Sequence, residues 1–226
     1  MKYTFEYRLV VKEDRDDIIQ FLNTYFYKDE PCTRAMKLSL EDILPVYEGI
    51  VDRCLQFPFS TIVTCVEDGK MAGVLLNSVW RRSDKVSDGA DFDTGNKGGA
   101  IDSFGALLNE CHRDFWKLAP SNVSAVLHRE ISSVATPYQR NGIATRLVTE
   151  NITKAKLAEY DIGGVISETS SYSNQVLLKK QGFECLKELS YDKVVDGDGN
   201  KILQTDDGSK GLRLNFKPIE LFNITI

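Results

Sequence analysis

The chain has 226 residues, of which 42% are hydrophobic and 27% are charged, so it can bury a core, and we expect one domain over residues 1–226. Its net charge of −5 argues against the basic face of a general nucleic-acid binder. No apolar run reaches transmembrane length, the first residues have no signal-peptide core, and the five cysteines are widely spaced. These features predict a cytoplasmic protein with reduced thiols and no membrane or nucleic-acid partner.

Hydrophobic periodicity and turn residues predict the elements of the first half of the chain. These are a strand at 5–11, a helix through 18–26 that Pro31 stops, a helix that opens at the capping box Ser39/Asp42, and strands at 61–67 and 71–80. Asp68-Gly69 stands between the last two strands and is typical of a β-hairpin turn. Residues 81–99 then form a long polar segment, which predicts a loop.

The same patterns predict the second half. The predicted elements are a helix through 104–118, a strand at 125–135, a helix at 142–160, a strand at 164–169, a helix at 174–181, and strands at 183–195 and 212–218. Residues 196–200 superficially resemble a calcium loop, but Lys201 stands where such a loop requires glycine. We therefore expect a hairpin tip there and no bound metal.

This mixed order of strands and helices predicts an α/β (α+β mixed) fold with a central mixed sheet flanked by helices. The helix between strands 125–135 and 164–169 is a crossover, so these two strands are expected to be parallel neighbours. A ligand cleft is expected where their carboxyl ends diverge.

Residues Gln139 to Ala144 follow the first of these strands and open the next helix. The first amides of a helix lack internal partners and attract anions, and Gly142 lets a ligand approach the backbone. Arg140 adds a cation at the rim. The segment is therefore a candidate pyrophosphate site, although an ordinary strand-to-helix turn explains one glycine equally well.

The spacing Gln-x-x-Gly-x-Ala in this segment resembles the acetyl-CoA loop of the GNAT superfamily of N-acetyltransferases. The resemblance implies a GNAT acyl-CoA N-acyltransferase fold with acetyl-CoA as co-substrate. It also implies that the Val134 amide donates to the acetyl carbonyl. The implied cofactor-binding residues are Ser133, Val134, Ala135, Gln139, Arg140, Asn141, Gly142, Ile143, Ala144 and Asn174.

The segment Phe26-Tyr27-Lys28-Asp29-Glu30-Pro31 narrows this resemblance. It is similar to the Phe-Phe-Lys-Asp-Glu-Pro motif of insect and related invertebrate arylalkylamine N-acetyltransferases, whose glutamate is the catalytic base. A carboxylate beside aromatic surface is partly desolvated and therefore more basic. The resemblance thus implies that Glu30 is the general base, whereas without it a solvated acidic turn is the simpler interpretation.

Hydroxyl side chains follow the strand that ends at Thr169. The family places such groups near the sulfur of CoA, which implies Ser170 or Ser173 as the proton donor, with Tyr172 as the substitute. A helix N-cap and loop is the alternative interpretation of this cluster. His128 could assist proton removal, but a core or surface histidine is the more common case.

We therefore expect an acetyl-CoA-dependent N-acetyltransferase that acts on a small primary amine, an arylalkylamine such as dopamine, serotonin, tyramine or octopamine. An alternative acceptor is a polyamine or another non-aromatic amine. A non-catalytic acyl-CoA-binding protein is the alternative from another functional class.

Overall fold

A computed structural model describes residues 3–85, 91–95, 98–195 and 200–222. Its centre is a seven-stranded sheet with the order β1-β2-β3-β4-β5-β7-β6. The strands are β1 (Phe5–Leu9), β2 (Thr61–Cys65), β3 (Met71–Arg81), β4 (Ala125–Val134), β5 (Ile162–Thr169), β6 (Glu184–Ser190) and β7 (Gly211–Pro218). The mixed sheet is confirmed, and each predicted strand is present with ends that shift by up to two residues, except that the strand predicted over 183–195 ends at Ser190 and is followed by a 3₁₀ turn, Tyr191–Lys193.

The only parallel pair among these seven described strands is β4 with β5. Their pairing runs from Ala125↔Ile162 to His128↔Ile166 and then stops, although both strands continue. On its other edge β4 stays paired with β3 as far as Val134↔Gly73. The carboxyl-terminal parts of β4 and β5 therefore separate and form the two walls of the expected cleft.

Helices cover both faces of the sheet. They are α1 (Arg15–Phe21), α2 (Tyr27–Asp29), α3 (Pro31–Ala35), α4 (Leu40–Cys54), α5 (Ala100–His112), α6 (Phe115–Leu118), α7 (Ile143–Leu147), α8 (Lys154–Glu159) and α9 (Tyr172–Lys180). One hydrophobic cluster includes side chains of α1, α4 and α5, and a second includes Val148, Leu157 and Leu178. The helix cap at Ser39 is confirmed, because its Oγ accepts from the Asp42 amide at 3.1 Å.

The prediction of one helix over 142–160 is wrong. The structure has α7 and α8, separated at Asn151, whose φ is 60°. The Asn151 side chain donates to Thr61 Oγ1 at 3.0 Å, and Thr153 caps α8 by accepting from the Lys156 amide. A left-handed residue cannot continue an α-helix, so this tertiary contact and the new cap outweigh the apolar periodicity.

Pro31 does not simply stop the first helical segment. The chain runs from α1 through a π-helical turn, Leu22–Phe26, into α2 and turns at Glu30, whose ψ of 116° is extended. Pro31 then takes the first position of α3, where its missing N–H costs nothing. The turn places the backbone of Glu30 at the junction of two helices.

Two sequence predictions lie partly or wholly outside the described residues. The predicted loop 81–99 is described only at 81–85, 91–95 and 98–99, and the predicted hairpin tip at 196–200 only at Asn200. An antiparallel bridge, Val195↔Lys201, flanks the latter. Within the described residues, no helix combines the length and the apolar character needed to cross a membrane.

Candidate active site

Glu30 lies in the interior, with 6% of its surface exposed. Its Oε2 accepts a short hydrogen bond from the amide of Thr33, so its side chain caps α3. Its own amide donates to the carbonyl of Phe26 at 2.8 Å. Its second carboxylate oxygen, Oε1, is buried and has no hydrogen-bond partner among the described residues. One oxygen therefore fixes the side chain, and the other is left to accept a proton or a donor.

Two more buried hydroxyl groups close to Glu30 are without a partner in the described part of the chain. They belong to Thr33 and to Tyr47 of α4, each 3% exposed. Burial raises the pKa of Tyr47 above its ordinary value, and the negative charge of Glu30 raises it further, while the neighbouring Thr33 hydroxyl lowers it; the two hydroxyls thus lie near each other without meeting the geometry of a hydrogen bond. The Tyr47 ring packs 5.6 Å from that of Phe26. Unpartnered buried polar atoms are costly, and a group of them points to a ligand. We call Glu30, Thr33 and Tyr47 the unpaired cluster.

Asp29, next to Glu30, joins this segment to the candidate cofactor loop. Its Oδ2 accepts from Gln139 Nε2 at 3.2 Å and from Thr136 Oγ1 at 3.4 Å. Gln139 also donates to the Val134 carbonyl at 3.1 Å. Asp29 therefore contacts the candidate cofactor loop, and Gln139 is held between the Glu30 segment and β4.

The predicted cofactor loop is an exposed turn. Gln139, Arg140, Asn141 and Gly142 are exposed, whereas Ile143 is 1% exposed and anchors α7. The backbone at Gly142 has φ 80°, which favours glycine, and a Cβ there would meet no protein atom within 4 Å. Asn141 stabilises the turn by donating to the carbonyls of Tyr138 and Gln139, both at 3.1 Å.

The first intrahelical bond of α7 runs from the Arg146 amide to the Gly142 carbonyl, at 3.1 Å. The amides of Ile143, Ala144 and Thr145 precede it and lack an intrahelical acceptor. Because α7 has only five residues, its dipole is small, and these local amides are the main attraction for an anion. Arg140, at φ 64°, adds a flexible cation beside them.

The backbone of β4 offers a donor to the cleft. The Ala135 amide bonds to the Ala72 carbonyl of β3 at 2.9 Å, so it is already used. Because N–H groups of an antiparallel pair point alternately to the two edges, the Val134 amide faces the β5 side. The paired part of β5 ends well before this level. Val134 therefore presents its N–H to the cleft, and Ser133 lies buried beside it.

The predicted hydroxyl groups occupy different environments at the start of α9. Ser170 is half-buried, Ser173 is exposed, and Tyr172 is 54% exposed. Ser171, which the sequence did not single out, is the N-cap and accepts from the Asn174 amide at 3.4 Å. No hydrogen bond among the described residues joins Ser173 or the Tyr172 hydroxyl to Glu30. The backbone of Ser170, through its carbonyl, is the part of this segment that Tyr191 connects to the Glu30 segment.

Tyr191 makes this connection, and no sequence pattern pointed to it. Its hydroxyl donates to the Ser170 carbonyl at 3.0 Å and accepts from the Cys32 thiol at 3.4 Å. Burial raises the pKa of Tyr191 above its ordinary value, as do the neighbouring Cys32 and Glu30. The Tyr191 hydroxyl therefore stays protonated. It bridges Cys32, two residues after Glu30, to Ser170, which directly follows β5.

A second bridge runs through the segment before β7. Asp206 pairs with Arg34 of α3, and Asp207 accepts from the Tyr172 amide at 2.7 Å. This segment therefore contacts both α3 and the first residue of α9. Its two contacts act in parallel with those of Tyr191, so the relative position of Glu30 and Ser170 is fixed twice.

A separate buried ionic network lies on the side of the sheet covered by α5. His128 of β4 is fully buried, and its Nε2 lies 2.6 Å from Glu168 Oε2. The other oxygen of Glu168 lies 3.3 Å from His112 Nδ1. His112 Nε2 is 2.8 Å from Asp91, which is partly exposed. Glu130 pairs with Arg53 next to this group. We call His112, His128 and Glu168 the paired network.

The charges of the paired network support one another. Burial raises the pKa of Glu168, but His128 and His112 outweigh this and hold the pKa well below its usual range. Burial lowers the pKa of His112, yet Glu168 and Asp91 raise it above 6.5 on balance. His128, a possible accessory base from sequence, is thus engaged by a carboxylate. Trp80, 5.7 Å from the His112 ring, is a core residue.

Comparisons with known proteins agree on the fold. No protein-family model matches the sequence, and no curated protein shows significant sequence similarity to it. The structure is similar to that of arylalkylamine N-acetyltransferase 2 from Aedes aegypti, with a TM-score of 0.77 and 20% identity over 96% of this chain and 99% of that one.

The structure is also similar to that of the polyamine N-acetyltransferase of Drosophila melanogaster that forms N-acetylagmatine. The TM-score is 0.77 and the identity 15%, over 96% of this chain and 100% of that chain. It is also similar to mosquito arylalkylamine N-acetyltransferase like 5b, with a TM-score of 0.75, 16% identity and the same coverage. At these identities the likeness concerns the fold. The chain has the GNAT N-acetyltransferase fold expected from its sequence.

Proposed function

We propose that the chain, as a single domain, is an acetyl-CoA-dependent N-acetyltransferase of small primary amines, with an arylalkylamine as acceptor. The observation that carries this proposal is the buried Glu30 carboxylate, which has one free oxygen and is connected both to the candidate cofactor loop and to the hydroxyl segment. A base, a cofactor turn and a proton donor are the three parts that amine acetylation needs.

The amine poses the main chemical problem. With a pKa of about 10.4, about one alkylamine molecule in a thousand is neutral near pH 7.4. Glu30 accepts a proton from the ammonium group, directly or through water, and the neutral nitrogen attacks the thioester carbon. The C–S bond then breaks, and the thiolate takes a proton while the amide nitrogen loses its second one. The balance is one amide, one thiol and one proton released to solvent.

The remaining roles follow from position. The Val134 amide stabilises the carbonyl oxygen as negative charge develops, and the amides of Ile143 and Ala144 bind the pyrophosphate of CoA together with Arg140. Ser133, Ala135, Gln139, Asn141, Gly142 and Asn174 complete the proposed cofactor site. Ser170 is supported as the proton donor by its half-buried position and by the backbone bond from its carbonyl to Tyr191, which fixes this residue relative to the Glu30 segment. Ser173 and Tyr172 are the alternatives.

A second candidate acceptor is a polyamine or agmatine. It is favoured by the structural likeness to the Drosophila melanogaster polyamine N-acetyltransferase and to an agmatine N-acetyltransferase, which have TM-scores of 0.77 and 0.78. Both acceptors are cationic amines, so the Glu30 chemistry is common to the two. They differ in whether an aromatic or a second cationic group must be accommodated.

The test is thiol release from acetyl-CoA with a panel of tyramine, dopamine, serotonin, octopamine, spermidine and agmatine. Glu30→Gln keeps an oxygen that can cap α3, so the helix is retained while the base is lost. We expect turnover to fall about 10²- to 10⁴-fold below about pH 8, with acetyl-CoA binding retained. Glu184→Gln, the same chemical change at an exposed glutamate outside the proposed site, is the matched control and should keep the turnover of the parent.

Equal turnover of Glu30→Gln and the parent at neutral pH would refute the base assignment. Binding of acetyl-CoA without thiol release from any of the amines would favour a non-catalytic acyl-CoA-binding protein. A thermal-shift titration with acetyl-CoA measures that binding directly.

A further inference from the structure

Arg129 of β4 is a buried cation that has no partner in the part of the chain that the structure describes. It is 2% exposed, and none of its three guanidinium nitrogens has a hydrogen-bond partner among the described residues. Burial lowers its pKa to about 10, so it remains charged at neutral pH. No carboxylate contributes to this pKa, in contrast to Arg53, which is also largely buried but pairs with Glu130. A buried charge without a counter-charge is among the most costly groups in a fold.

Arg129 stands where the cleft begins. The last paired residues of β4 and β5 are His128 and Ile166, so Arg129 is the first β4 residue beyond the parallel pairing. Its carbonyl accepts from Ser167 Oγ of β5 at 3.2 Å, which ties the two strands by a side chain at this level. From here β4 continues to Val134, the proposed contact of the acetyl group.

The guanidinium lies on the face of the sheet that carries the segment after α7. Its cross-strand partner is Asn77, and Val79 and Leu127 are two residues away on the same face of β3 and β4. Val79 and Leu127 pack in the cluster that contains Val148. His128 faces the opposite side, beside Trp80. Arg129 is therefore separate from the paired network, whose carboxylates cannot neutralise it without crossing the sheet.

Asn77 adds a second unpaired atom on this face. Its Nδ2 donates to the Phe59 carbonyl at 2.7 Å, and its Oδ1 is buried without a partner in the described part of the chain. The site thus offers the planar donor fork of Arg129 and one neutral acceptor. A guanidinium fork matches a carboxylate in geometry as well as in charge.

We propose that Arg129 binds a carboxylate that one of the two substrates carries into the cleft. This inference rests on the proposed acyl-transfer function and adds to it a class of substrate, namely one that carries a carboxylate. The carboxylate belongs either to a dicarboxylic acyl-CoA, such as succinyl-CoA, or to an amino-acid acceptor. In both cases the amine nitrogen forms the amide bond, the thioester C–S bond breaks, and the carboxylate itself is unchanged.

The variants are Arg129→Met, which keeps the length and removes the charge, and Arg129→Lys, which keeps the charge and removes the fork. A stability control comes first. Arg53→Met leaves Glu130 buried without its partner and should lower the Tm, whereas Arg129→Met removes an unpaired charge and should leave the Tm of the free protein unchanged or raise it. A fall in Tm as large as that of Arg53→Met would show that Arg129 has a structural partner and would overturn the proposal.

The functional test measures ratios of kcat/KM. One arm compares succinyl-CoA with acetyl-CoA on the same amine, and the other compares tyrosine with tyramine and arginine with agmatine at fixed acetyl-CoA. In one arm, Arg129→Met should lower kcat/KM for the carboxylated substrate about tenfold or more relative to kcat/KM for the substrate without the carboxylate. The ratio for Arg129→Lys should lie between those of the parent and Arg129→Met. The arm that responds identifies which substrate carries the carboxylate. Unchanged ratios in both arms overturn the proposal.

Absence of thiol release from every substrate pair with the parent protein is a failure of the proposed function. The carboxylate site is then decided by binding alone. Succinyl-CoA or free succinate should raise the Tm of the parent more than that of Arg129→Met, and an equal rise or none rejects the site.

Discussion

The unpaired cluster and the paired network are both buried polar groups beside the same sheet, yet they are built in opposite ways. In the network both histidine rings lie within salt-bridge distance of Glu168, at 3.3 and 2.6 Å, so the buried charges offset one another, although Glu168 Oε1 and the Nδ1 atoms of both histidines make no hydrogen bond within the described residues. In the cluster Glu30, Thr33 and Tyr47 each keep a buried oxygen without a hydrogen bond in the described residues, and two of these three groups are neutral hydroxyls that bring no counter-charge. A buried charge beside its counter-charge costs far less than one without it. We therefore expect the network to contribute to stability and the cluster to contact a ligand.

Glu168→Gln breaks the network most directly. It leaves His112 and His128 buried without their shared counter-charge, so we expect a loss of about 3–5 kcal/mol in the free energy of unfolding. Urea denaturation measures this loss. Glu184→Gln makes the same chemical change at an exposed position and should alter stability by no more than about 0.5 kcal/mol. A loss for Glu168→Gln as small as that of the control would mean that the network does not stabilise the fold.

The network also makes stability depend on pH. The pKa of His112 is raised above 6.5, so its contribution is fully present below 6.5 and is lost as the pH rises through the folded-state pKa. The pKa of Glu168 is depressed below 4.5, so its contribution is present above 4.5 and is lost as the pH falls through the folded-state pKa. The network therefore contributes most to the free energy of unfolding between pH 4.5 and pH 6.5.

This predicts that the stability advantage of the parent over His112→Gln shrinks as the pH rises from 6 to 9. The effect should be smaller than that of Glu168→Gln, because only one of the charges in the network is lost. Urea denaturation of both proteins at several pH values measures it. A constant difference across this range would show that the proton binding of His112 does not change on folding between pH 6 and 9, and would contradict the prediction.

Tyr191 connects the Glu30 segment to Ser170, so Tyr191→Phe should affect the cluster rather than the network. Loss of its two hydrogen bonds should lower the free energy of unfolding by about 0.5–1.5 kcal/mol. If the hydroxyl holds Ser170 in register with Glu30, kcat should fall while the KM for acetyl-CoA stays the same. Tyr160→Phe, which makes the same change on a half-buried ring that packs on Phe57 and Phe59 away from the site, is the control. Equal kcat values for the two variants would remove the positioning role.

The elements that sequence predicted best depend on neighbouring residues. The hairpin of β2 and β3 turns at Asp68-Gly69 with φ 68° at the glycine, and the cap at Ser39 involves residues three apart. Turn and cap chemistry of this kind is local, so the sequence displays it directly. The crossover that makes β4 and β5 parallel follows in the same way from the helical segments between them.

The parts of the site that sequence could not predict depend on distant contacts. Cys32 and Tyr191 are 159 residues apart, and His128 and Glu168 are 40 apart. Tyr47 is one apolar position among several on α4, and only its burial without a partner distinguishes it. Asn151 ended the predicted helix through a contact with Thr61 in β2. No local pattern encodes such pairings, because the fold creates them.

Tyr47→Phe gives the smallest expected change in stability and the sharpest comparison between the two regions. The hydroxyl makes no geometrically complete hydrogen bond among the described residues and only a weak contact with the Thr33 hydroxyl, so its removal should leave the free energy of unfolding within about 0.5 kcal/mol of the parent, or raise it. The same variant should lower kcat/KM for the amine, since a donor beside Glu30 is lost from the proposed acceptor site. Tyr27→Phe is the control, because the Tyr27 hydroxyl donates to the Leu38 carbonyl at 2.8 Å and its loss should destabilise the fold. A destabilised but fully active Tyr47→Phe protein would show that this hydroxyl has a structural role. Glu30 and Thr33 would then be the remaining members of the unpaired cluster.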